Sequence, residues 1–474
     1  MALLIPALLV TPGASAGESS SAPDAGAALA VTSAEADTGS GGDFNSRPYL
    51  GWSSWSLQAT QYPGVNPQGR FSWLNEENLL AQIDVLAEDL SQHGYEYVNI
   101  DAGWWMDWDW NPGYDRFARQ TTDLDRFPSG MEYIADYVHD RGLKLGVYLP
   151  VGLEMGAYNN GESPIHGAPG CTTADIVYDD LRPTNGFGET GSAYAMDFSD
   201  PCSQRYLESL VDMFDEWDVD LLKLDGVGPG SRRDPAVDGE NYNNIPDVAA
   251  WHEALRGEDI HLLVSWAMDR DYLADWQAYT DSWRVGGDVE CYCETMTSWR
   301  ASNQSIRATG NWIGAAGPET GWNNLDSLNV GVGEMDGLTE EERRTVFTFW
   351  ALAASPLYLG DDLTRLDDFG RSLITNDEVI GINQLGIPAQ RVGEASPIQV
   401  WYLERPDGSL VVGLFNLSEA AADVAVSWDE LGLSGSAQLR DVWADEDLGA
   451  HEDGFSANIG AHGSQLITVT PSGR

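Results

Sequence analysis

The chain has 474 residues, with 75 acidic side chains against 25 basic ones and a formal net charge of -50. That length points to one large domain with a smaller one attached, and a hydrophobic fraction of 42% supplies a real core, which excludes global disorder. A phosphate-backbone partner needs basic surface, so nucleic acid binding is excluded too. Only Lys144 and Lys223 are lysines, and so acidic a surface predicts a protein kept soluble in concentrated salt, where self-repulsion is screened. An ordinary acidic secreted protein is the plainer alternative.

Residues 1–16, MALLIPALLVTPGASA, read as the apolar part of a secretion signal with a small-residue site at Ala14-Ser15-Ala16, which predicts export. Residues 17–45 are rich in Ser, Ala, Gly and Asp and read as a flexible linker. No other segment approaches the roughly 18 apolar residues of a membrane span. From 46 to 387, short apolar runs alternate with helical patterns, the mark of βαβ units. Strands are predicted at Tyr49–Trp52, Tyr95–Ile100, Leu143–Leu149, Asp220–Leu224, His261–Trp266, Ser282–Val285, Trp312–Ala315 and Pro356–Leu359. Leu79, Leu80, Ile83, Leu86 and Leu90 recur at helical spacing until Gly94, and Met131, Ile134, Ala135 and Val138 do so until Gly142. Leu207, Leu210, Val211 and Phe214 follow Ser203 as an expected cap, and Thr339 with Glu342 forms a capping box. Eight such units predict a (β/α)8 TIM barrel, with its active site at the carboxyl ends of the strands. From 388 to 474 the runs IQVWYLER, LVVGLFNL, ADVAVSW, AQLRDVW and QLITVTP alternate between turns, predicting an antiparallel β-sandwich domain. Its Asp445, Glu446 and Asp447 could hold calcium, although a solvated acidic loop is the plainer reading.

Four cysteines suit an exported protein. Cys171 and Cys202 flank a long loop and are the expected disulfide, whereas Cys291 and Cys293 lie two apart and their state stays open. Neither pair has zinc-ligand spacing, so no metal is expected.

The predicted strands end on Trp55, Asp101, Tyr148, Lys223 and Asp225, Ser265 and Trp266, Arg284 and Asp288, Asp326, and Asp361. Carboxylates, aromatic faces and two cations suit a polyhydroxylated ring, and two facing carboxylates are the equipment of a glycosidase. Singly, each has a plainer reading: Asp225, Asp288 or Asp361 as a helix cap, Lys223 in a surface ion pair, Trp55 in the core. Their joint placement favours function.

The ordered motifs GWSSWS, YVNIDAGWW, LKLGVYLP, LLKLDGV, SWRVGGD, GWNNLDSL and ASPLYLGDDL resemble those of glycoside hydrolase family 27, the α-galactosidase and α-N-acetylgalactosaminidase family, from about residue 48 to 385. The resemblance implies a retaining double displacement with Asp225 as nucleophile and Asp288 as general acid/base. Lys223 and Arg284 would hold sugar hydroxyls, Trp55 would form a pocket wall, and Tyr148, Asp101 and Asp326 would be further contacts. It implies no cofactor and an oligo- or polysaccharide substrate.

This chain departs from the family pattern where galactose-specific members carry two adjacent aspartates for the 4- and 6-hydroxyls, since Asp101 is followed by Ala102. After the fifth strand it has Ser265, as the N-acetylgalactosamine enzymes do, but Met268 replaces their small residue. The stretch Pro150–Cys202 is long enough to roof the pocket or build subsites. The expected activity is therefore release of terminal α-linked galactose, with isomalto-dextranase-like or β-L-arabinopyranosidase-like hydrolysis as the alternative. A non-catalytic carbohydrate-binding protein is a further alternative, but it would be expected to lack Asp225 or Asp288, and both are present.

Overall fold

The structure, a computed structural model, describes residues 46–184, 187, 192–230 and 242–472. The expected signal at 1–16 and linker at 17–45 lie outside the described residues. Eight parallel strands form one sheet: β1 Leu50–Ser53, β2 Tyr97–Ile100, β3 Lys144–Pro150, β4 Val219–Asp225, β5 His261–Val264, β6 Ser282–Arg284, β7 Trp322–Asn324 and β8 Leu357–Leu359. Each pairs with its sequence neighbour from β1 to β7, and β8 pairs with β1, Leu50 opposite Leu357. A parallel bridge between Leu328 and Leu359 closes the circle, Leu328 N donating to Tyr358 O at 2.7 Å and Gly360 N to Leu328 O at 2.8 Å. The result is the expected (β/α)8 barrel. Its interior is packed on the amino-terminal side by Tyr49, Tyr97, Tyr358 and Leu221, with the Tyr49 ring edge-on to Tyr97 at 5.4 Å and to Tyr358 at 5.6 Å.

Two expectations are corrected. The seventh strand is Trp322–Asn324, whereas Trp312–Ala315 is a turn whose Trp312 ring packs on Trp283 at 6.4 Å. The true strand hides behind two asparagines satisfied on opposite faces: Asn323 Oδ1 accepts from Trp283 Nε1 at 2.9 Å on the outer face, and Asn324 Nδ2 donates to Tyr49 OH at 3.1 Å inside the barrel. An apolar-run search passes over such a strand. The helix Pro201–Asp215 is capped by Asp200, which accepts from Cys202 N at 2.8 Å, with Pro201 in the first turn. Ser203 is buried and donates instead to Asp197 O at 2.6 Å. The Thr339–Glu342 capping box is present and starts the helix Glu340–Leu352.

Beyond the barrel, six antiparallel strands form a sheet that packs over the pair Ala422–Ser427 and Gly454–Ile459, with Val412, Leu414, Val424, Val426 and Ile467 between them. The strand Leu410–Asn416 is buried on both faces, as its unbroken LVVGLFN run requires. Its outer face meets the barrel helix Glu340–Leu352, where Phe349 stands edge-on to Trp401 at 5.1 Å and to Phe415 at 5.5 Å. Trp443 Nε1 donates to Thr348 Oγ1 at 2.9 Å across the same junction.

Candidate active site

Residues two apart on a strand face the same way, so Lys223 and Asp225 of β4 both reach the barrel mouth. The β3–β4 register sets Tyr148 beside Lys223 and Pro150 beside Asp225. Lys223 Nζ donates to Asp101 Oδ2 at 2.7 Å and lies 5.6 Å from the centre of the Tyr148 ring. Asp101 is anchored by its own backbone N–H donating to Ser54 Oγ at 2.9 Å, and its Oδ1 accepts from Ala102 N at 2.9 Å. Gly146 makes room for this layer, since a Cβ there would lie 2.8 Å from Oδ1 of Asn99. Breaking a buried ion pair such as Lys223–Asp101 from one side costs about 3–5 kcal/mol.

The opposite wall is built around Arg284 at the end of β6. Its Nη2 donates to Asp288, its Nη1 pairs with Asp326 Oδ1 at 2.9 Å, and its Nε donates to Gly286 O at 2.9 Å. Asp326 Oδ2 also accepts from Val289 N at 2.9 Å, so one guanidinium and one carboxylate organise the whole 284–290 turn. Tyr292 OH donates to Asp288 Oδ2 and accepts from Trp55 Nε1 at 3.3 Å. Cys291 and Cys293, left open by the sequence, are bridged on either side of Tyr292, and Cys171 is bridged to Cys202 as expected. Tyr292 (φ 51°), Asp326 (φ 80°) and Trp266 (φ 142°) hold left-handed backbone, a strain that concentrates around functional sites.

These walls enclose a cavity of about 320 Å³. It brings together Trp55, Asp101, Tyr148, Lys223, Asp225, Arg284 and Asp288 from the sequence reading, with Ala102 on the wall beside Asp101. Ser265 and Asp326 are buried but do not line it: Asp326 backs Arg284, and the Ser265 backbone continues the β4–β5 pairing, donating to Leu224 O and accepting from Val227 N. A family model described as Alpha galactosidase A matches residues 47–182 and 174–385, and one described as Alpha galactosidase C-terminal beta sandwich domain matches residues 395–469.

The chain belongs to the α-galactosidase family.

As a member it hydrolyses glycosidic bonds. An α-galactosidase of Oryza sativa subsp. japonica is 29% identical over 434 residues, covering 90% of this chain and 85% of that protein. The α-galactosidase of Cyamopsis tetragonoloba is 28% identical over 457 residues, covering 93% and 92%. The family 27 β-L-arabinopyranosidase of Geobacillus stearothermophilus shares the fold, with a TM-score of 0.78 at 24% identity, covering 91% of this chain and 98% of that one.

Charge at this family site is arranged in two clusters. Burial alone would lower the Lys223 ammonium, but Asp101 and Asp225 outweigh it and keep the group firmly charged. Burial pushes Asp101 up, against the pull of Lys223. Burial also pushes at Asp288, but Arg284 and the Tyr292 hydrogen bond prevail and hold its carboxyl below the usual carboxylate range. Asp225 lines the cavity, its Oδ1 is buried without a hydrogen-bond partner among the described residues, and the Tyr148 phenol lies against the same carboxyl. Glu290, behind Asp288, is pushed up to about 8 by burial and by Asp326 and Asp288, and accepts from Ser56 Oγ at 2.6 Å. Carboxylate oxygens of Asp288, Glu290 and Asp326 lie within 4.8 Å of one another, the spacing of a metal site. Arg284 already bonds two of the three, so the cluster is neutralised by a guanidinium and a proton rather than arranged around a divalent cation.

The sequence reading missed Trp105, Met106, Trp110, Glu154, Phe187, Ser192 and Tyr292 on the wall. Trp105, Met106 and Trp110 follow β2 in an aromatic run that reads equally well as core. Tyr292 carried one signal, its place between two cysteines. Glu154 carried another, as a carboxylate four residues past the end of β3.

Proposed function

We propose that the protein is an exported, retaining, exo-acting glycosidase that removes terminal α-linked galactose. In that reading Asp225 attacks the anomeric carbon, while Asp288 protonates the departing oxygen and then activates water, so the bound sugar has to loosen the Arg284 and Tyr292 contacts that keep its carboxyl ionised in the free site. The observation that carries it is the pairing of each carboxylate with its own buried cation in one cavity: Lys223 beside Asp225, and Arg284 on Asp288. A volume of about 320 Å³ lies at the small end for ligand pockets and suits one sugar ring, which supports exo action. The names of the rice and Cyamopsis relatives support galactose as the sugar. Lys223, Asp101 and Tyr148 would hold the ring, Trp55 would stack on it, and Arg284 would contact the 2-hydroxyl. Asp326 and Ser265 would act from behind the wall, the first by fixing Arg284. Export would rest on the leader at 1–16, ahead of a catalytic domain at 46–387 and a C-terminal domain at 388–474.

A second reading has one specific observation behind it. Ala102 puts a methyl group on the wall where galactose-specific members would place a second carboxylate, which favours a ring that makes no demand there. β-L-arabinopyranosides, which have the ring of an α-galactoside without the hydroxymethyl arm, fit that description. The test is hydrolysis of p-nitrophenyl α-galactoside, α-glucoside, α-N-acetylgalactosaminide and β-L-arabinopyranoside in high salt, with dextran alongside. Preferential cleavage of the α-galactoside is expected. Inactivity on it, with release of isomaltose from dextran, would overturn the galactose assignment.

A further inference from the structure

Glu154 is an unusual group to find on this wall. It is 6% exposed, lines the cavity, and pairs with no cation among the described residues. Burying a carboxyl without a counter-charge is costly, and a purely structural position would be better filled by an apolar side chain. The site nevertheless holds it in place. Gln120 Nε2 donates to its Oε2 at 2.8 Å, and Tyr114 and Trp105 lie against the same carboxyl. Burial raises it to about 7, so near neutrality it can serve a hydroxyl either as donor or as acceptor.

Its place in the barrel says which part of a sugar it meets. The reacting carboxylates stand on β4 and after β6, and Arg284 ends β6, so the anomeric carbon and its neighbour face that side. Asp101 and Ala102 follow β2, and Glu154 lies four residues past β3 on the short strand Leu153–Glu154, so all three line the cavity away from β6 and would meet the remote edge of the ring. Glu154 arrives there from the segment that follows the strand next to β2, where Leu153–Glu154 pairs with Ala193–Tyr194, and on a side chain one carbon longer than an aspartate.

We propose that Glu154 is a substrate-binding residue that holds the exocyclic hydroxymethyl arm of the terminal sugar, supplying from the segment after β3 a contact that the Ala102 methyl cannot make after β2. The inference rests on the cavity being the sugar site, but not on which hexose fills it.

The test compares wild type with Glu154→Gln, which keeps the shape, and Glu154→Ala. Each is assayed on the hexoside that wild type cleaves and on the pentoside with the same ring but no arm. The pairs are α-galactoside with β-L-arabinopyranoside, and α-glucoside with α-xyloside. A hydrogen bond involving a charged group is worth enough that loss of about ten- to a hundredfold in kcat/KM is expected on the hexoside. The pentoside should change by less than about threefold, since it has nothing for Glu154 to hold. Equal losses on both members of a pair would show a structural role and overturn the inference, as would no loss on either. A wild type that cleaves pentosides alone also overturns it. A wild type inert on every glycoside removes the reading of the cavity, whereas cleavage of a glucoside pair removes the galactose assignment and leaves Glu154 testable.

Discussion

Replacing Tyr292 by Phe should move the pH dependence of catalysis upward. The substitution keeps the ring and removes one hydroxyl, which in the wild type donates to Asp288 Oδ2 while Arg284 holds Oδ1. Both contacts favour the ionised carboxylate and hold Asp288 below the usual range against the opposing effect of burial. A hydrogen bond to a charged group contributes about 1.5–3 kcal/mol, and one pKa unit corresponds to about 1.36 kcal/mol. Asp288 is 29% exposed and Arg284 remains, so the lower end applies, a rise of about one unit. The first chemical step needs Asp288 protonated, so activity falls on the basic side as that proton is lost. The basic limb of kcat/KM should therefore shift up by about one pH unit in Tyr292→Phe, whatever happens to the maximal rate. Stability moves in the matching sense. A depressed carboxylate stabilises the fold above its unfolded pKa, and that contribution is lost as pH falls through the folded value. The variant should thus lose stability near neutrality and match wild type in strong acid. The assay is a kcat/KM profile on the best nitrophenyl glycoside, with thermal unfolding at two pH values. A basic limb that stays put or moves down would refute Asp288 as the acid, or Tyr292 as the group that sets it.

Asp225→Ala should reduce kcat by about 10⁴ or more with the fold unchanged, read by single-turnover kinetics and circular dichroism, and near wild-type turnover would remove it as nucleophile. The Cys171–Cys202 bridge spans 31 residues, and the chain-entropy relation gives it about 3.7 kcal/mol. Because the loop from Pro150 to Cys202 carries Glu154, Phe187 and Ser192 to the cavity, Cys171→Ala/Cys202→Ala should raise KM as well as lower the melting temperature. An unchanged KM would separate the bridge from the site. The net charge of -50 predicts loss of fold below about 1 M salt, where the Debye length grows beyond about 3 Å and acidic repulsion is no longer screened. A folded, active enzyme at about 0.1 M in a circular dichroism series would sink that idea.

Most of the barrel could be read from the chain because parallel strands buried on both faces are short apolar runs, and YVNI, KLGVYLP and VDLLKLD are such runs. The Lys-x-Asp spacing of Lys223 and Asp225 likewise dictated a shared face, since strand periodicity is a local property. The seventh strand was not legible, because its asparagines are tolerated only through partners on Trp283 and Tyr49, dozens to hundreds of residues away. The same holds for the cap at Asp200, where Ser203 offered an equally good local signal and burial decided between them. Which carboxylates share the cavity, which stand behind it, and which carry a proton are long-range matters. Asp326 backs Arg284 rather than facing substrate, Glu154 comes to the wall from the segment after β3, and Glu290 is pushed up to about 8 by burial and by carboxylates that follow β7 and stand in its own turn. Composition, periodicity and motif order are written along the chain. Desolvation and charge pairing depend on which distant side chains fill the same space, and only the folded barrel determines that.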